Sequence, residues 1–288
     1  RRDIEKAIIP SFIKQIGSYA LSDCYKLESV EFEDDSKLEK IGQYAFSYSL
    51  LKHFCIPQNV TRISEGSFSF CCQLKSIEFS EKSKLDSIGE YGFYNCPLES
   101  ISIPSSFTKF KKAWCFGIPQ LIHINVFQCS ENNIIYYQNS FILGKTDIKS
   151  DTFDILLFAR RNIKKVLVPS FIKQIAPYAF SECKSIESVE FHENSELETI
   201  ENYCFSFSSL RKIFIPVKVK QIMEAAFYNC NEFRNIEFSD KSELESIGKS
   251  TFYGSALESI SIPPNVSTIN AATFSKCKKL QIVEISEN

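Results

Sequence analysis

The feature that most constrains this chain is a short segment that returns along its whole length. The segment YAFSECKSIESVEF at 178–191 has near-copies in YALSDCYKLESVEF at 19–32 and GSFSFCCQLKSIEF at 66–79. One apolar residue just before or at the start of each copy recurs at steps of 25, 22, 25 and 22, then 65, then 25, 22, 25 and 22. These residues are Ile16, Ile41, Ile63, Ile88, Phe110, Ile175, Ile200, Ile222, Ile247 and Ile269. A fixed period of about 23.5 residues predicts a solenoid in which each repeat stacks on its neighbours.

The chain also contains a longer repeat, which includes several of the short ones. The heptapeptide PSFIKQI at 10–16 recurs unchanged at 169–175, an offset of 159 residues. The same offset aligns RRDIEKAIIP at 1–10 with RRNIKKVLVP at 160–169. Solenoids normally carry atypical end repeats, and neither end of this chain has one that we recognise. We therefore expect one continuous solenoid cut from a longer protein, with uncapped ends through which it could self-associate.

Each repeat also contains an L-x-x-[IVF]-x-[FIV] segment of the kind that forms a half-buried strand. Its first, fourth and sixth residues are predicted to point inward, and its second, third and fifth outward. One such strand per repeat predicts one parallel sheet along one side of the coil. The proline-containing segments are predicted to be extended turns, and the following A-F-x-x-C segments short helical or 3-10 turns. The eleven strand segments are 27–32, 51–56, 74–79, 98–103, 121–126, 163–168, 186–191, 210–215, 233–238, 257–262 and 280–285.

This order of motifs, L-x-x-I-x-I, then I-P-x-x-V-x-x-I, then A-F-x-x-C, resembles the BspA-type leucine-rich repeat family. The likeness covers roughly residues 1–126 and 163–288 and recurs in register about ten times. It implies a right-handed leucine-rich-repeat coil and an adhesion role at a cell surface, as in a surface antigen. Periodicity alone predicts a parallel β-solenoid with a binding surface.

The period breaks once, at about 127–162. We therefore divide the chain into a repeat array at 1–126, an interruption at 127–162 and a second array at 163–288. The segment NNIIYYQNSFILGK is typical of a β-hairpin with its reversal near Gln138 and Asn139, and it resembles the irregular hairpin that interrupts arrays in this family. An inserted element can carry function or can be an odd coil that packs into the stack. Its apolar content favours packing.

Two columns of repeated residues have both a structural and a functional interpretation. The phenylalanine column is predicted to fill the core, the alternative being an aromatic ligand-binding stripe. It comprises Phe46, Phe68, Phe93, Phe180, Phe205, Phe227, Phe252 and Phe274. The cysteine column is predicted to hold buried reduced thiols, the alternatives being disulfides between coils or a metal ladder. It comprises Cys24, Cys71, Cys96, Cys183, Cys230 and Cys277, with Ser49, Ser208 and Ser255 in other repeats.

The outward strand positions are where a partner would bind. Glutamates recur there on alternate strands, and their spacing suits a solvated face better than a calcium site. Apolar exceptions are more informative, and Leu167 and Phe214, together with Lys165 and Lys212, form our predicted protein-contact patch. The other outward residues that we assign to partner binding are Ile122 and His123.

Two asparagines stand in glycosylation patterns. Asn59-Val60-Thr61 and Asn265-Val266-Ser267 match N-x-[ST]. The motif is short, and its use requires passage through a secretory pathway.

Composition and motifs argue against several classes of function. The net charge is -2 and the sequence pI is about 6.1, so no basic excess points to nucleic acid. The apolar runs are too short for membrane insertion. No nucleotide, metalloprotease or serine-hydrolase motif occurs, and only three histidines are present. We predict no enzyme activity, no catalytic residue, no metal and no cofactor.

The leading hypothesis is a protein-recognition scaffold that is secreted or held at a cell surface, where it binds a protein or extracellular-matrix ligand. One alternative is a cytoplasmic interaction scaffold, which the many apparently free cysteines favour. Another is a structural spacer that projects a further domain. No ligand can be named from the sequence.

Overall fold

The structure is a computed structural model that describes residues 3–107, 109–127 and 133–285. Its backbone contacts divide the chain into a first unit, Arg1–Tyr136, and a second unit, Tyr137–Asn288. Each unit is a parallel β-solenoid built from the repeats, as the period predicted. The proposed boundaries at 126 and 162 stay a prediction, because residues 128–132 lie outside the described part.

The strands of the first unit alternate between four residues and two residues in length. Their bounds are β1 (Lys6–Ile9), β2 (Gln15–Ile16), β3 (Ser29–Phe32), β4 (Lys40–Ile41), β5 (His53–Ile56), β6 (Arg62–Ile63), β7 (Ser76–Phe79), β8 (Ser87–Ile88), β9 (Ser100–Ile103), β10 (Lys109–Phe110) and β11 (His123–Val126). Strand β12 (Ile134–Tyr137) spans the boundary between the two units.

The second unit begins with two longer strands and then resumes the alternation. The bounds are β13 (Phe141–Gly144), β14 (Ile155–Ala159), β15 (Lys165–Val168), β16 (Gln174–Ile175), β17 (Ser188–Phe191), β18 (Thr199–Ile200), β19 (Lys212–Ile215), β20 (Gln221–Ile222), β21 (Asn235–Phe238), β22 (Ser246–Ile247), β23 (Ser259–Ile262) and β24 (Ile282–Ile285).

All eleven predicted strands are present, but the prediction of a single sheet is wrong. The four-residue strands form a wide face, the main sheet, in which β5, β7, β9 and β11 pair in one unit and β15, β17, β19 and β21 in the other. The two-residue strands form a second parallel sheet, the narrow sheet, from β2 to β10 and again from β16 to β22. They occupy segments that we predicted to be turns. The sequence did not reveal them, because two residues are too few to show the alternation of a strand. Strand β1, which pairs with β3, was also missed.

The predicted helical or 3-10 turns are wrong as well, since the described residues contain no helix. Each A-F-x-x-C segment is a pair of tight turns with residues of positive φ on either side of the phenylalanine. Around Phe46 these are Tyr44 (φ 52°) and Tyr48 (φ 61°). Ser47 N–H donates to the Tyr44 carbonyl oxygen at 3.2 Å, whereas Phe46 N–H donates to Ser67 of the next coil at 2.8 Å. Left-handed residues interrupt the run of right-handed φ values that a helix needs.

The phenylalanine column forms the core, as predicted. Phe46, Phe68 and Phe93 are fully buried and stacked, with ring centroids 5.3 and 5.7 Å apart. The second unit has a stack of its own, from Phe180 to Phe274, at centroid spacings of 4.9 to 5.7 Å. Offset-stacked rings at this spacing add attraction to the burial of apolar area, so an aromatic ligand-binding stripe is not available here.

The central element contains an antiparallel hairpin formed by β13 and β14. Strand β14 then pairs in parallel with β16, which places Leu156 beside Ile175 at the start of the narrow sheet. Gln138 and Asn139 both have positive φ, 48° and 51°, at the predicted reversal, which lies between β12 and β13 rather than in the β13–β14 hairpin. The buried residues of β13 and β14 favour our interpretation of an odd coil that packs into the stack.

A buried arginine joins this hairpin to the next coil. Arg161 is 2% exposed, and its Nη1 donates to the carbonyl oxygen of Ala179 at 2.9 Å while Nη2 donates to that of Tyr178 at 3.3 Å. Its guanidinium lies 4.2 Å from the ring centroid of Phe158. Carbonyl oxygens and an aromatic face thus compensate the cost of burying this charge.

Candidate interaction surface

The main sheet of the second unit presents alternate residues to solvent. In β19 the side chains of Ile213 and Ile215 are buried, whereas those of Lys212 and Phe214 are exposed. In β15 the same alternation buries Val166 and Val168. The inward and outward positions predicted from the repeats are therefore confirmed for these strands.

Leu167 and Phe214 are the two large apolar side chains that are exposed on strands β15, β17, β19 and β21. Leu167 is 53% exposed and Phe214 is 51% exposed. Leu167 is in register with Glu190 of β17, and Phe214 with Glu237 of β21. Leu167 and Phe214 are thus two strands apart, roughly 9.6 Å at the usual spacing. A glutamate lies on the strand between them.

Lys165 and Lys212 lie two residues before these apolar side chains on the same strands, and both are exposed. Residues two apart on a strand share a face. The structure therefore brings four of the predicted contact residues onto one sheet face, which we call the Phe214 patch: Lys165, Leu167, Lys212 and Phe214.

Two shallow hollows border Phe214. One, of about 290 Å³, is lined by Ser188, Glu190, Lys212 and Glu237 as well as Phe214. The other, of about 280 Å³, lies at the carboxyl ends of the strands and is lined by residues that include Phe191, His192, Pro216, Val217 and Phe214. Both are at the small end for a pocket that encloses a small molecule. An aromatic side chain between two hollows is the kind of contact that anchors a protein interface.

Val217 is a surface residue that our sequence reasoning missed. It is exposed and contributes to the second hollow. It follows the proline of its repeat, where Ser11, Gln58 and Ser170 stand in other coils. That exchange of a polar for an apolar residue was visible in the sequence and could have identified it.

Ile122 and His123 belong to the first unit. His123 begins β11 and is exposed, whereas Ile122 is only half-buried and precedes the strand. The structure therefore places them on the main sheet of the other unit rather than in the Phe214 patch.

The cysteine column is a set of hydrogen-bonded thiols. Cys71 Sγ donates to the Phe46 carbonyl oxygen of the preceding coil at 3.1 Å, and Cys230 Sγ donates to that of Phe205 at 2.9 Å. Ser208 Oγ lies 3.6 Å from Cys230 Sγ, which shows how serine substitutes in the column. Burial raises the pKa of the Cys230 thiol to about 11, so this thiol is protonated at neutral pH.

All ten cysteines in the described residues are free thiols. No group of three or more histidine, cysteine, aspartate or glutamate side chains in that part of the chain could hold a metal ion. Cys55 and Cys72 are exposed, and burial together with the nearby Glu78 raises the pKa of the Cys55 thiol.

Asn59 and Asn265 both bond to the preceding coil. Asn59 Nδ2 donates to the Ser36 carbonyl oxygen at 3.0 Å, and Asn265 Nδ2 donates to that of Ser242 at 3.2 Å. Ser106, at the equivalent position of another repeat, donates to the Ser83 carbonyl oxygen at 2.8 Å. These residues thus have a role between coils, and their glycosylation stays a prediction.

No helix in the described part of the chain is long and apolar enough to cross a membrane.

The solvent-facing side chains of the main sheet are mixed in sign, and several form exposed ion pairs, such as Lys52 with Glu28 at 2.9 Å. Exposed pairs of this kind stabilise a fold by less than about 1 kcal/mol.

The model of the BspA type leucine rich repeat region matches the chain in six copies, over residues 1–122, 82–156 and 151–281. No curated protein sequence matches significantly.

Several solved structures share the fold. The crystal structure of the pneumococcal vaccine antigen PcpA is 24% identical, with a TM-score of 0.84 over 98% of this chain and 69% of that one. A leucine rich cell surface protein from Faecalibacterium prausnitzii is 22% identical, with a TM-score of 0.69 over 99% and 80%. A leucine-rich repeat protein from Eubacterium ventriosum is 20% identical, with a TM-score of 0.70 over 90% and 73%.

Proposed function

Because the chain belongs to the BspA-type leucine-rich repeat family, we propose that it is a non-enzymatic recognition module at a cell surface. It binds a protein or extracellular-matrix ligand through the main sheet. The observation that carries the proposal is the Phe214 patch, where a half-exposed aromatic side chain stands between two hollows and beside the polar outward residues of β17 and β21.

The energetics of the patch suit a protein ligand. Phe214 has only two side-chain torsions, so little side-chain entropy is lost when a partner covers it. Lys212 shares its strand and Glu190 and Glu237 lie on the neighbouring strands, so the charges around Phe214 are mixed and favour a partner whose rim also carries both signs. A central aromatic anchor with a charged surround is the common arrangement of interface hot spots.

The proposed surface location is based on the similarity of this chain to solved structures. The solved structures that share the fold include a vaccine antigen and a leucine rich cell surface protein, as their names state. These names support a surface role for this chain, which is similar to the two proteins at 24% and 22% identity.

The sheet-face contact is tested by substitution of its two apolar residues. Leu167→Glu and Phe214→Ala should each weaken binding to immobilised extracellular-matrix proteins by about tenfold or more, since a hot spot contributes roughly 2 kcal/mol. Ile148→Ala is the matched control, because Ile148 is also exposed and apolar but lies in the 145–154 loop. Loss of binding in the control alone, or unchanged binding in both sheet variants, would remove the patch from the proposal.

A cytoplasmic scaffold is the second candidate, and the exposed thiols favour it. Cys55 and Cys72 are accessible and free, and such thiols persist more readily in a reducing compartment. Thiol titration of the purified protein under denaturing conditions, without reductant, separates the cases. Markedly fewer free thiols than the 11 cysteines of the chain would indicate an oxidising location.

A further inference from the structure

The narrow sheet of the first unit carries a polar groove that the proposed function does not use. It has a volume of about 550 Å³. The groove touches five successive coils, from Ser18 in the first to Lys111 in the last. Five coils at the usual strand spacing extend about 19 Å, so the groove suits an extended ligand rather than a compact one.

Four cations line this groove. Lys40 and Arg62 are in-register neighbours on β4 and β6, and Lys111 and Lys112 follow β10. All four are exposed, and the described residues place no carboxylate in ion-pair contact with any of them. Unpaired cations that share one concave surface attract a ligand with several negative charges.

Two glutamates also line the groove. Glu65 accepts a hydrogen bond from Tyr44 Oη at 3.0 Å and another from Gln43 Nε2 at 3.4 Å, so its carboxylate is already engaged. Glu90 is half-buried. The charged side chains of the groove therefore sum to an excess of positive charge.

The fold does not require these cations. The second unit repeats the narrow sheet, and there the positions equivalent to Lys40 and Arg62 are uncharged. By the 159-residue offset, Lys40 corresponds to Thr199 and Arg62 to Gln221. Like charges on directly opposed strand positions destabilise a sheet, so the first unit carries Lys40 and Arg62 side by side at some cost to its stability.

From this geometry we propose that the groove binds a linear anionic polysaccharide. Arg62 and the three lysines meet its sulfate or carboxylate groups through charge-assisted hydrogen bonds. Ser18 and Gln43 offer a hydroxyl and an amide to its sugar hydroxyls.

An acidic peptide fits less well. Extended peptides add to a free strand edge, whereas the groove lies over interior strands such as β6, which pairs with β4 on one side and β8 on the other. The groove lining also lacks apolar side chains that would receive those of a peptide.

The test measures binding of the purified chain to three immobilised probes: heparin, which is sulfated, hyaluronan, which carries carboxylates alone, and polyglutamate. We expect binding to heparin, or to both glycans, that weakens as salt is raised. Binding to hyaluronan as well as heparin would show that carboxylates suffice, and heparin alone that sulfates are needed. Either result supports the proposal. Polyglutamate binding as tight as that of the glycans, or no binding to any probe, would overturn it.

Paired substitutions locate the site. Lys40→Gln with Arg62→Gln should weaken glycan binding by about tenfold, the effect of losing two charge-assisted contacts. Lys220→Gln with Lys249→Gln removes the same charge from exposed sites in the second unit and should leave binding within about twofold. If both double variants lose glycan binding equally, the net charge of the protein and not the groove controls binding, and the assignment is overturned.

The melting temperature of each variant shows whether a loss of glycan binding is due to misfolding. The Lys40 and Arg62 double variant should melt at or above the temperature of the parent protein, because it relieves a like-charge contact. If it melts lower, Lys111→Gln with Lys112→Gln replaces it, and unchanged glycan binding in that second pair contradicts the proposal. Both pairs leave the Phe214 patch intact, so failure here is distinguishable from failure of the proposed function.

Discussion

At the scale of single residues, two columns stabilise the coil by different means. Phe227 lies between Phe205 and Phe252 at centroid distances of 5.2 and 5.6 Å, and its contribution is the burial of aromatic area. Cys230 buries a thiol whose only strong interactions are with the backbone and hydroxyl of the preceding coil. Neither residue reaches solvent, so substitutions at both should change stability before they change recognition.

Phe227→Ala should lower the free energy of unfolding by roughly 3–5 kcal/mol, because it removes a fully buried ring and leaves a cavity in the stack. Urea denaturation measures the change. Phe214→Ala is the matched control, since the same truncation at a half-exposed position should cost about 0.5 kcal/mol or less. Equal midpoints for Phe227→Ala and the parent protein would contradict the core assignment.

The thiol at Cys230 should make the fold sensitive to alkaline pH. Burial raises its pKa from 9.0 to about 11, so the folded state keeps a proton that the unfolded state has released. The stabilisation is fully present below about pH 9 and is lost as pH rises through about 11, on the order of 2 kcal/mol for this group.

Urea denaturation between pH 8 and 11 tests this dependence. Cys230→Ser retains a donor to the Phe205 carbonyl oxygen and removes the thiol, so its stability should decline less over that range. The tyrosines that titrate nearby are common to both proteins and cancel in the difference. Parallel curves for the two proteins would show that this thiol does not control the alkaline loss.

At the scale of elements, the hairpin of β13 and β14 depends on one buried charge. Arg161 donates to the carbonyl oxygens of Ala179 and Tyr178 in the coil that follows. Each of these oxygens also accepts a backbone hydrogen bond, from Ala159 N–H at 3.0 Å and from Ser181 N–H at 3.1 Å, so the guanidinium is a second donor to both. The arginine therefore connects the irregular element to the regular array.

Arg161→Met should lower the free energy of unfolding by about 2–4 kcal/mol, because it removes two buried hydrogen bonds from a charged donor. The two carbonyl oxygens keep backbone donors, Ala159 N–H and Ser181 N–H. Lys164→Met is the control, because Lys164 lies in the same segment and is exposed. Thermal denaturation of both variants gives the comparison. An Arg161→Met protein as stable as its parent would indicate that the buried charge is a net cost, as happens for some buried ion pairs.

The elements also show how far sequence reasoning reaches. Eleven strands of the main sheet were predictable, because buried residues such as Ile213 and Ile215 alternate with exposed ones. The narrow sheet was not predictable, since a strand such as Arg62–Ile63 is too short to alternate. The tight turns were not predicted, because residues such as Tyr44 and Glu182, rather than glycine, adopt positive φ there.

The same limits apply to the candidate sites. The exposure of Leu167 and Phe214 followed from the outward positions they occupy in the strand repeat. The basic groove could not be predicted, because Lys40 and Arg62 come together only through the pairing of β4 with β6.

At the scale of the whole molecule, the repeats specify the coil and leave the surface free to vary. Inward columns keep one residue type from coil to coil, whereas the outward position of Phe214 holds Glu190 and Glu237 on the neighbouring strands. Recognition therefore depends on residues that depart from the repeat. A solenoid suits this division, because each coil contacts only its neighbours and a surface exchange in one coil does not disturb the rest.

The central claim is that this recognition takes place outside the cell, and surface labelling tests it most directly. Antibodies raised against the purified chain should label intact cells that produce the full-length protein about as strongly as permeabilised ones. A marker of the cell interior, which should be labelled only after permeabilisation, is the control. Labelling of the protein that appears only in permeabilised cells would contradict the account and favour the cytoplasmic scaffold.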